Sequence, residues 1–299
     1  MRAENLDPGL SKRAPTTMIP VSAILTTRNE APNIERTLQG LSGFVDQILV
    51  IDSDSDDGTA DIARRYANEV VNLPYDHGRI VPWIFQWGLD NLRIRNEWIL
   101  FLEADQSLEE SLKRELEALF AHQPIAQNGF YMRRKQIFRG RWIRHGGYGS
   151  KYLLKLFRRG HGELDEKEQD TRVYVQGPVG KLEGYLVEDN RKEAGILFYL
   201  DKHLRYAEAF ARDELERRQS GMKWKLKPRL LGSPDERTLW LKSAYYRMPL
   251  YWRSLAYFLY RYVIRLGFLD GKEGFIFHFM QAFWFRLVVD IRLEEMLEE

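Results

Sequence analysis

The feature that most constrains the fold is a regular alternation of short apolar runs with amphipathic segments between residues 21 and 120. Four apolar runs predict strands, and they lie at 21–26, 47–51, 69–73 and 97–102. The segments between and after them carry apolar residues at helical spacing and predict helices at 33–41, 60–67, 80–92 and 107–120. Strands that alternate with helices of this length indicate βαβ units. We therefore predict an α/β fold with a Rossmann-like, mostly parallel sheet flanked by helices.

Polar side chains cluster where three of these predicted strands end. The clusters occupy residues 26–30, 52–57 and 103–105, and the second one contains four aspartates: Asp52, Asp54, Asp56 and Asp57. In open sheets of this class, ligands bind in a crevice beyond the carboxyl ends of the strands. We expect one edge of the sheet to gather all three clusters, so that Asp52 and Asp105 border a common cleft.

The segment Glu103-Ala104-Asp105 separates two carboxylates by a single residue. Side chains two positions apart in an extended chain point the same way, so both carboxylates can face one ligand. Hard oxygen ligands of this kind suit Mg²⁺ or Mn²⁺, and such an ion can bridge to a diphosphate. The alternative is a solvated turn before a helix, with Asp105 or Ser107 as the N-cap residue.

The other two clusters have similar alternatives. Asp52 still belongs to its predicted strand, where an acidic side chain commonly accepts hydrogen bonds from a ribose or a base. Asp56 and Asp57 are better explained as caps of the following helix. The amides and the hydroxyl group of residues 26–30 could hold a nucleotide or could only form a strand-to-helix turn.

Composition excludes several classes of protein. The chain has no cysteine, which excludes a disulfide scaffold, a zinc–thiolate site and thiol chemistry. Its first 18 residues are polar and lack the apolar core of a secretory signal. The longest apolar candidate, 274–285, has 12 residues, fewer than the roughly 18 of a spanning helix. We expect a cytoplasmic protein.

The C-terminal third is basic and aromatic. Residues 223–286 carry 12 Lys and Arg against 4 Asp and Glu, and 16 of the 39 aromatic residues lie at 240–286. A helix started or kinked by Pro249 would place four arginines within one arc of its surface: Arg247, Arg253, Arg261 and Arg265. Such a helix, with a second aromatic helix after it, could lie in the headgroup region of a membrane. The alternative is a helical hairpin packed on the rest of the protein. Nucleic acid is not an expected partner, because no binding motif accompanies the charge.

The three polar clusters and their strands resemble the N-terminal half of the family 2 inverting glycosyltransferases, which have the GT-A fold. The matching segments are residues 22–30, 50–59 and 98–105. Further segments are similar to the subgroup that adds sugars to lipopolysaccharide core or to lipid-linked saccharides: 145–147, 155–159 and 201–207. The resemblance implies a polar extension at 1–18, a GT-A catalytic domain at 19–192 and a C-terminal helical, membrane-associating region at 193–299.

The resemblance also implies roles for individual residues. The donor would be a nucleotide-diphosphate sugar, with a UDP-sugar favoured, and eight residues would bind it: Thr26, Arg28, Glu30, Asp52, Asp54, Glu103, Ala104 and Asp105. Asp105 and Glu103 would hold Mg²⁺ or Mn²⁺, although Glu103 stands where the family has an aspartate. The acceptor would be a saccharide or a lipid-linked saccharide.

An inverting transfer needs a general base that takes the proton of the acceptor hydroxyl, and a carboxylate within hydrogen-bond reach can do this. The acidic run 165–170 follows a predicted strand and a Gly-His-Gly loop, where the family tends to place its base. We favour Asp170 in that run. Asp189 is the second choice, and Glu166, Glu168 and Glu188 are the other candidates.

These observations predict an inverting glycosyltransferase of cell-envelope polysaccharide or glycolipid synthesis, bound peripherally to the inner face of the cell membrane. A sugar-1-phosphate nucleotidyltransferase ranks lower, because residues 26–32 lack the glycine-rich basic loop that it would need. The alternative from another class is a catalytically silent nucleotide-sugar-binding or scaffold protein of the same fold. Glu103 and Gln106 would then be marks of a decayed metal site.

Overall fold

Strands and helices alternate through the first part of the chain, as the apolar pattern predicts. The structure is a computed structural model that describes residues 18–76, 81–122, 124–164, 172–221 and 226–298. The strands in these residues are β1 Ile19–Thr27, β2 Val45–Asp52, β3 Glu69–Asn72, β4 Trp98–Glu103, β5 Gln106–Leu108, β6 Gly129–Phe138, β7 Arg141–Ile143, β8 Tyr152–Arg158, β9 Gly162–Leu164, β10 Val173–Val175 and β11 Val179–Asp189. The helices are α1 Ala31–Leu41, α2 Thr59–Arg64, α3 Val81–Asn91, α4 Glu110–Ala121, α5 Ile196–Ser220, α6 Pro234–Tyr246, α7 Trp252–Leu259, α8 Gly271–His278 and α9 Phe285–Glu298.

Short segments of other helix types complete the C-terminal region. A π-helical stretch, Tyr260–Ile264, extends α7, and a second one, Phe279–Trp284, joins α8 to α9. Two 3₁₀ turns, Arg191–Ala194 and Gly267–Asp270, precede α5 and α8. Pro249 lies between α6 and α7, which confirms that a helix begins shortly after it.

One sheet of nine strands carries the predicted clusters. Its order is β3-β2-β1-β4-β8-β6-β11-β5, with β7 paired to β6. Strands β3, β2, β1 and β4 are parallel, whereas β8 is antiparallel to both β4 and β6. The predicted α/β fold, with a Rossmann-like sheet flanked by helices and a C-terminal helical region, is confirmed. The sheet is mixed rather than mostly parallel, since its parallel order is interrupted beyond β4.

The register brings the ends of the first strands together. Thr27 pairs with Asp52 across β1 and β2, and Thr26 pairs with Glu103 across β1 and β4. Alternate side chains of these strands enter two apolar layers on opposite faces of the sheet. Leu25 packs in the layer that α1 and α4 cover, whereas Ile24 packs in the layer that α3 covers. The alternation also fixes the face onto which each strand-end side chain projects.

Two elements differ from the predicted pattern. Residues 106–108 form β5, which pairs antiparallel with β11, so that the helix predicted from Ser107 begins at Glu110. Strand β11 was not predicted, because glycines interrupt its apolar alternation. A Cβ atom at Gly184 would lie 2.4 Å from the Cα of Leu112. The glycine therefore lets α4 pack directly on β11.

A buried ion-pair network holds the C-terminal helices together. The side chain of Arg253 on α7 is fully buried. Its Nε donates to Asp290 of α9 at 2.7 Å, and its two terminal nitrogens donate to Glu214 of α5 at 2.7 and 2.8 Å. Around these charges, α5 and α9 share a small apolar core: Ala207, Ala211, Phe285, Val289 and Leu293.

The last helical segment also has the length of a membrane span. Among the described residues, Gly267–Glu298 is the helical segment that is long and apolar enough to cross a membrane by length and composition alone. Within its most apolar stretch, 39% is buried inside the protein. The core helix of a soluble protein passes the same test, and this segment contributes Phe285, Val289 and Leu293 to the apolar core.

Replacing Arg253 with alanine should lower the free energy of unfolding by about 3–5 kcal/mol, because it leaves the buried Asp290 without a cation and Glu214 with only the half-exposed Arg218. Urea denaturation monitored by tryptophan fluorescence measures this loss. Arg247 is exposed, and Arg247→Ala is the matched control, with an expected change within about 0.5 kcal/mol. A loss below about 1 kcal/mol for Arg253→Ala would contradict the stabilising role of the network.

Candidate active site

A cleft of about 2170 Å³ lies between the carboxyl ends of the first strands and the C-terminal helices. Its lining combines the ends of β1 and β4, the glycine-rich loop after β7, and side chains of α5 through α9. The sheet and the helical region therefore build the site together. Sixteen Lys and Arg line the cleft against nine Asp and Glu, an excess of positive charge that favours anionic ligands.

Six of the eight predicted donor-binding residues line this cleft: Thr26, Arg28, Glu30, Glu103, Ala104 and Asp105. From the second polar cluster, Ser53 lines it instead of an aspartate. Asp52 and Asp54 border a separate pocket of about 320 Å³. The expectation that Asp52 and Asp105 border a common cleft is therefore wrong for this structure, and the role of Asp52 and Asp54 in donor binding stays a prediction.

Strand alternation explains the placement of Asp52. Its side chain projects on the face of Val50, which packs under α1, whereas Thr26 and Glu103 project on the opposite face. The Asp52 carboxylate accepts hydrogen bonds from the amide of Ser55 at 3.0 Å and from its hydroxyl group at 2.6 Å. Asp52 therefore shapes the loop after β2.

Asp54 is held in the same loop by different contacts. Its backbone is in the left-handed region, with φ of 52°. Its carboxylate accepts from the side-chain amide of Asn72 at 2.9 Å and from the backbone amide of Tyr75 at 2.8 Å. These bonds, with the charge of Arg28, lower the pKa of Asp54. The guanidinium of Arg28 in turn lies 3.1 Å above the Tyr75 ring, at the cleft wall.

Glu30 faces the cleft with its carboxylate already paired. The ammonium of Lys192 donates to it at 2.5 Å, and the side-chain amide of Asn33 donates at 2.7 Å. Lys192 also donates to the backbone carbonyl of Asn29 at 2.7 Å. This arrangement ties the start of α1 to the segment that leads into α5. Glu30 is thus a positioning residue of the cleft wall in this structure.

Glu103 is held by a buried lysine. Nζ of Lys155 on β8, which is buried, lies 3.1 Å from its carboxylate. Although desolvation opposes ionisation, Lys155 and Arg134 hold the pKa of Glu103 below its ordinary value. The side-chain oxygen of Gln106 accepts a hydrogen bond from the backbone N–H of Glu103 at 3.1 Å, which fixes the turn between β4 and β5. The carboxylate is therefore kept ionised at the edge of the cleft.

Asp105 has the least compensated charge in the cleft. Its Oδ1 atom is buried and has no hydrogen-bond partner. Burial raises the pKa of Asp105 well above its ordinary value, and the nearby carboxylates of Glu188 and Glu103 raise it further. A bound cation would lower the free-energy cost of keeping this carboxylate ionised, because one of its oxygens has no partner and its neighbours carry the same charge.

The two carboxylates fit a divalent cation only as a partial ligand set. No group of three or more Asp, Glu or His side chains in the described parts of the chain is placed to hold a metal ion. Mg²⁺ and Mn²⁺ take oxygen ligands, and Mg²⁺ is commonly bound by one or two carboxylates together with substrate phosphates and water. Asp105 and Glu103 therefore fit an ion that binds together with a diphosphate.

The candidates for the general base occupy different positions. Glu188 lines the cleft, but its carboxylate is paired with Arg134 and accepts from the Gln106 amide at 3.2 Å. Asp189 projects to the other side of β11, where Arg36 binds both its carboxylate and its backbone carbonyl. Asp189 does not line the cleft, and its candidacy is not supported by this geometry. Glu166, Glu168 and Asp170 lie outside the described residues.

Several cleft residues were not among the eight predicted donor-binding residues. Lys202 on α5 faces the acidic cluster and donates to Glu193 at 2.7 Å. Burial lowers the pKa of Lys202, but the charge and hydrogen bond of Glu193 and, more weakly, the charge of Asp105 act in the opposite direction and hold it raised. Thr27 places a buried hydroxyl group without a hydrogen-bond partner at the cleft. Lys155 could have been found from the sequence, because it is a charged residue within the otherwise mostly apolar run 152–158.

The glycine-rich loop connects the helical region to the sheet at the cleft. Gly146 has φ of 65°, and a Cβ atom there would lie 2.1 Å from the ring of His278 on α8. The backbone amide and the ring of His145 both contact the buried carboxylate of Asp270, at 2.8 and 2.7 Å. Only a glycine fits the close approach at position 146, which explains the loop composition.

The arginines predicted to share one helical arc separate in the structure. Arg253 is buried in its ion-pair network, whereas Arg261 and Arg265 line the cleft. Arg247 lies at the end of α6 and is exposed. The arc fails because Arg247 precedes the turn at Pro249 and because the π-helical stretch 260–264 changes the residue spacing. The predicted contact of this set with lipid phosphates is therefore not supported.

We expect Asp105→Asn to raise the melting temperature at neutral pH when no metal is present. A raised folded-state pKa means that the stability contributed by Asp105 is full below its ordinary pKa of 3.8 and is lost as the pH rises through the folded value. Asparagine does not ionise, so the variant does not lose this stability as the pH rises. The difference in melting temperature between the variant and the wild type should therefore shrink as the pH falls. Thermal denaturation in EDTA over a pH series checks this. A variant less stable than the wild type at every pH would contradict it.

Two relatives with curated names are similar in sequence to this chain. An "Uncharacterized glycosyltransferase" of Rickettsia bellii is 34% identical over 103 residues, which is 34% of this chain and 33% of that protein. The lipopolysaccharide core biosynthesis glycosyltransferase LpsC of Rhizobium meliloti is 26% identical over 166 residues, covering 54% of this chain and 60% of that protein. The match thus spans about a third of the length of the Rickettsia bellii relative.

Solved structures give more distant matches. The Staphylococcus aureus protein TarS (1–349) matches with a TM-score of 0.44 and 15% identity, over 94% of this chain and 91% of that chain. Glucosyl-3-phosphoglycerate synthase of Mycobacterium tuberculosis, solved with Mn²⁺, UDP and glucosyl-3-phosphoglycerate, matches with a TM-score of 0.40 and 15% identity, over 69% and 82%.

The family match covers the part of the chain that builds the sheet. The description Glycosyl transferase family 2 matches residues 22–176, slightly more than half of the chain. This range contains all three strand-end clusters and the glycine-rich loop. The chain therefore belongs to glycosyl transferase family 2.

Proposed function

We propose that the protein transfers a sugar, with inversion, from a nucleotide-diphosphate donor to a saccharide or lipid-linked acceptor in cell-envelope synthesis. A UDP-sugar is the favoured donor. The observation that carries this proposal is the unpartnered Oδ1 of Asp105 in a basic cleft at the strand ends of a family 2 domain. The name of the LpsC relative supports an acceptor of the lipopolysaccharide core type.

Asp105 and Glu103 would hold Mg²⁺ or Mn²⁺ in this site. When bound, such an ion supplies positive charge that stabilises the departing diphosphate. The chain adds its own cations around the same position, from Lys155 and Lys202, which face the two carboxylates. These side chains bind and orient the diphosphate, and they offset the charge that develops as the sugar leaves.

The acceptor hydroxyl must lose its proton as its oxygen bonds to the anomeric carbon and the bond from that carbon to the diphosphate breaks. A carboxylate takes that proton. We retain Asp170 as the first candidate, from the position of the acidic run in the family pattern. Glu188 is the alternative that faces the cleft, and its carboxylate is already occupied by the ion pair with Arg134.

Asp105→Asn should reduce turnover by at least about 100-fold, because loss of a main electrostatic contribution to the transition state costs this much in other enzymes. Release of UDP from UDP-sugars, with Mn²⁺ and with or without an acceptor extract, measures the change. Asp56 is exposed and lies outside the cleft, and Asp56→Asn is the matched control with unchanged turnover.

Unchanged turnover in Asp105→Asn would refute the role of Asp105. If the wild type binds UDP with Mn²⁺ but never releases it from any UDP-sugar, the silent-scaffold alternative is favoured. A thermal-shift titration with UDP and Mn²⁺ measures this binding independently of turnover.

We also propose that the protein binds the membrane through an apolar face of its C-terminal helices. Ten large apolar side chains on and between α7, α8 and their π-helical extensions are exposed by 36% or more: Trp252, Leu255, Leu259, Val263, Ile264, Leu266, Phe268, Leu269, Phe275 and Phe279. An exposed set of this size is typical of an interaction surface. The arginines of the same helices face the cleft instead, so apolar insertion and not arginine–phosphate contact supports the binding.

The double variant Phe268→Ser with Leu269→Ser should abolish flotation with liposomes, because it removes two exposed apolar side chains from this face. Since insertion is apolar, wild-type flotation should persist at moderate salt and with neutral lipid. Leu297 is equally exposed at the far end of the same helix, and Leu297→Ser is the matched control. Equal flotation of both variants would contradict the proposed face.

A further inference from the structure

Two arginines converge above the glycine-rich loop, on the wall of the cleft that faces the sheet. A Cβ atom at Gly147 would lie 3.7 Å from a terminal nitrogen of Arg265 and 3.9 Å from a terminal nitrogen of Arg261. Both guanidinium groups therefore reach the same small space over a residue that has no side chain. Both arginines and the glycine line the large cleft.

The charges of this pair are not neutralised by the protein. Among the described residues, neither guanidinium has a carboxylate within 4.0 Å. Their hydrogen-bond acceptors are phenols instead: Arg261 donates to Tyr257 at 2.5 Å and Arg265 donates to Tyr260 at 3.2 Å. The Nε of Arg261 is buried without any hydrogen-bond partner. Buried arginine charge elsewhere in this region is paired, as Arg253 shows with its two carboxylates.

A single aromatic ring connects this pair to the transfer site. The guanidinium of Arg261 lies 4.2 Å from the centre of the Tyr148 ring, and that of Arg134 lies 5.8 Å from the same ring. Arg134 is paired with Glu188, whose charge acts on Asp105. The arginine pair is therefore on the helical side of the cleft, across one tyrosine from the carboxylates of the donor site.

We propose that Arg261 and Arg265 bind a phosphate group carried by the acceptor, in the space left open by Gly147. This inference rests on the proposed function and specifies the class of acceptor. Two adjacent guanidinium groups match the charge of a phosphate dianion and its several acceptor oxygens. The absence of a carboxylate partner leaves their donors available for that ligand. Phosphate bound there would lie on the helical side of the cleft, across Tyr148 from the carboxylates proposed to hold the donor.

Inorganic phosphate is the probe for this site, and saturating UDP with Mg²⁺ keeps the donor pocket filled. Thermal-shift titrations at constant ionic strength give its apparent dissociation constant for the full-length protein. We expect Arg261→Gln and Arg265→Gln each to weaken phosphate binding by about tenfold or more, the effect of losing a charge-assisted contact. Arg247→Gln is the matched control and should leave the constant unchanged. Arg265 is exposed, so its variant should fold even if Arg261→Gln does not.

The result separates this inference from the proposed function. Phosphate binding that is absent from the wild type, or unchanged in Arg265→Gln, overturns the phosphate site while UDP binding still supports the donor site. If the wild type does not bind UDP, this result contradicts the proposed function and not the phosphate site.

The source of the phosphate is distinguished by two competitors in the same assay. Displacement of inorganic phosphate by glucose 6-phosphate, lost in Arg265→Gln, supports a soluble phosphorylated saccharide. Displacement only by phosphatidylcholine vesicles that contain phosphatidic acid, with the same loss, supports a lipid-borne phosphate. Displacement that is equal in the variant and the wild type contradicts the site.

Discussion

The site depends on the uncompensated charge of Asp105. Burial and two neighbouring carboxylates make its ionised form unfavourable, and one of its oxygens has no partner in the protein. The fold tolerates this cost at the end of β4 because the surrounding sheet is held by other interactions. Local strain of this kind at a cleft is typical of sites that are completed by a ligand.

The remaining charges of the cleft are arranged around that residue. Lys155 keeps Glu103 ionised, Lys192 holds Glu30, and Arg134 holds Glu188, so most carboxylates near Asp105 have a cation of their own. The helical region closes the opposite wall, through the contact of Gly146 with His278 and through the Arg253 network. The two walls of the cleft therefore come from different parts of the chain, which is consistent with the proposed binding of a donor at the sheet and an acceptor at the helices.

The sequence predicted the parallel half of the sheet and the cluster at its edge because apolar periodicity and strand ends are local signals. It could not predict onto which face of the sheet each strand-end side chain projects. The separation of Asp52 from Asp105 was therefore not predicted. Strand β11 was missed because Gly184 serves a packing contact that only the folded chain reveals. The cleft lysine Lys202 and the inward direction of Arg261 depend on helix docking, which no local pattern encodes.

The central claim is that Asp105 completes a divalent-cation site together with a donor diphosphate. Electron paramagnetic resonance of Mn²⁺ tests it directly, because the signal of free hexaaqua Mn²⁺ is lost on binding. The account predicts that the wild-type protein with UDP immobilises one Mn²⁺ per chain and that Asp105→Asn with UDP leaves the ion as free as UDP alone does. Equal immobilisation by the wild type and the variant would contradict it.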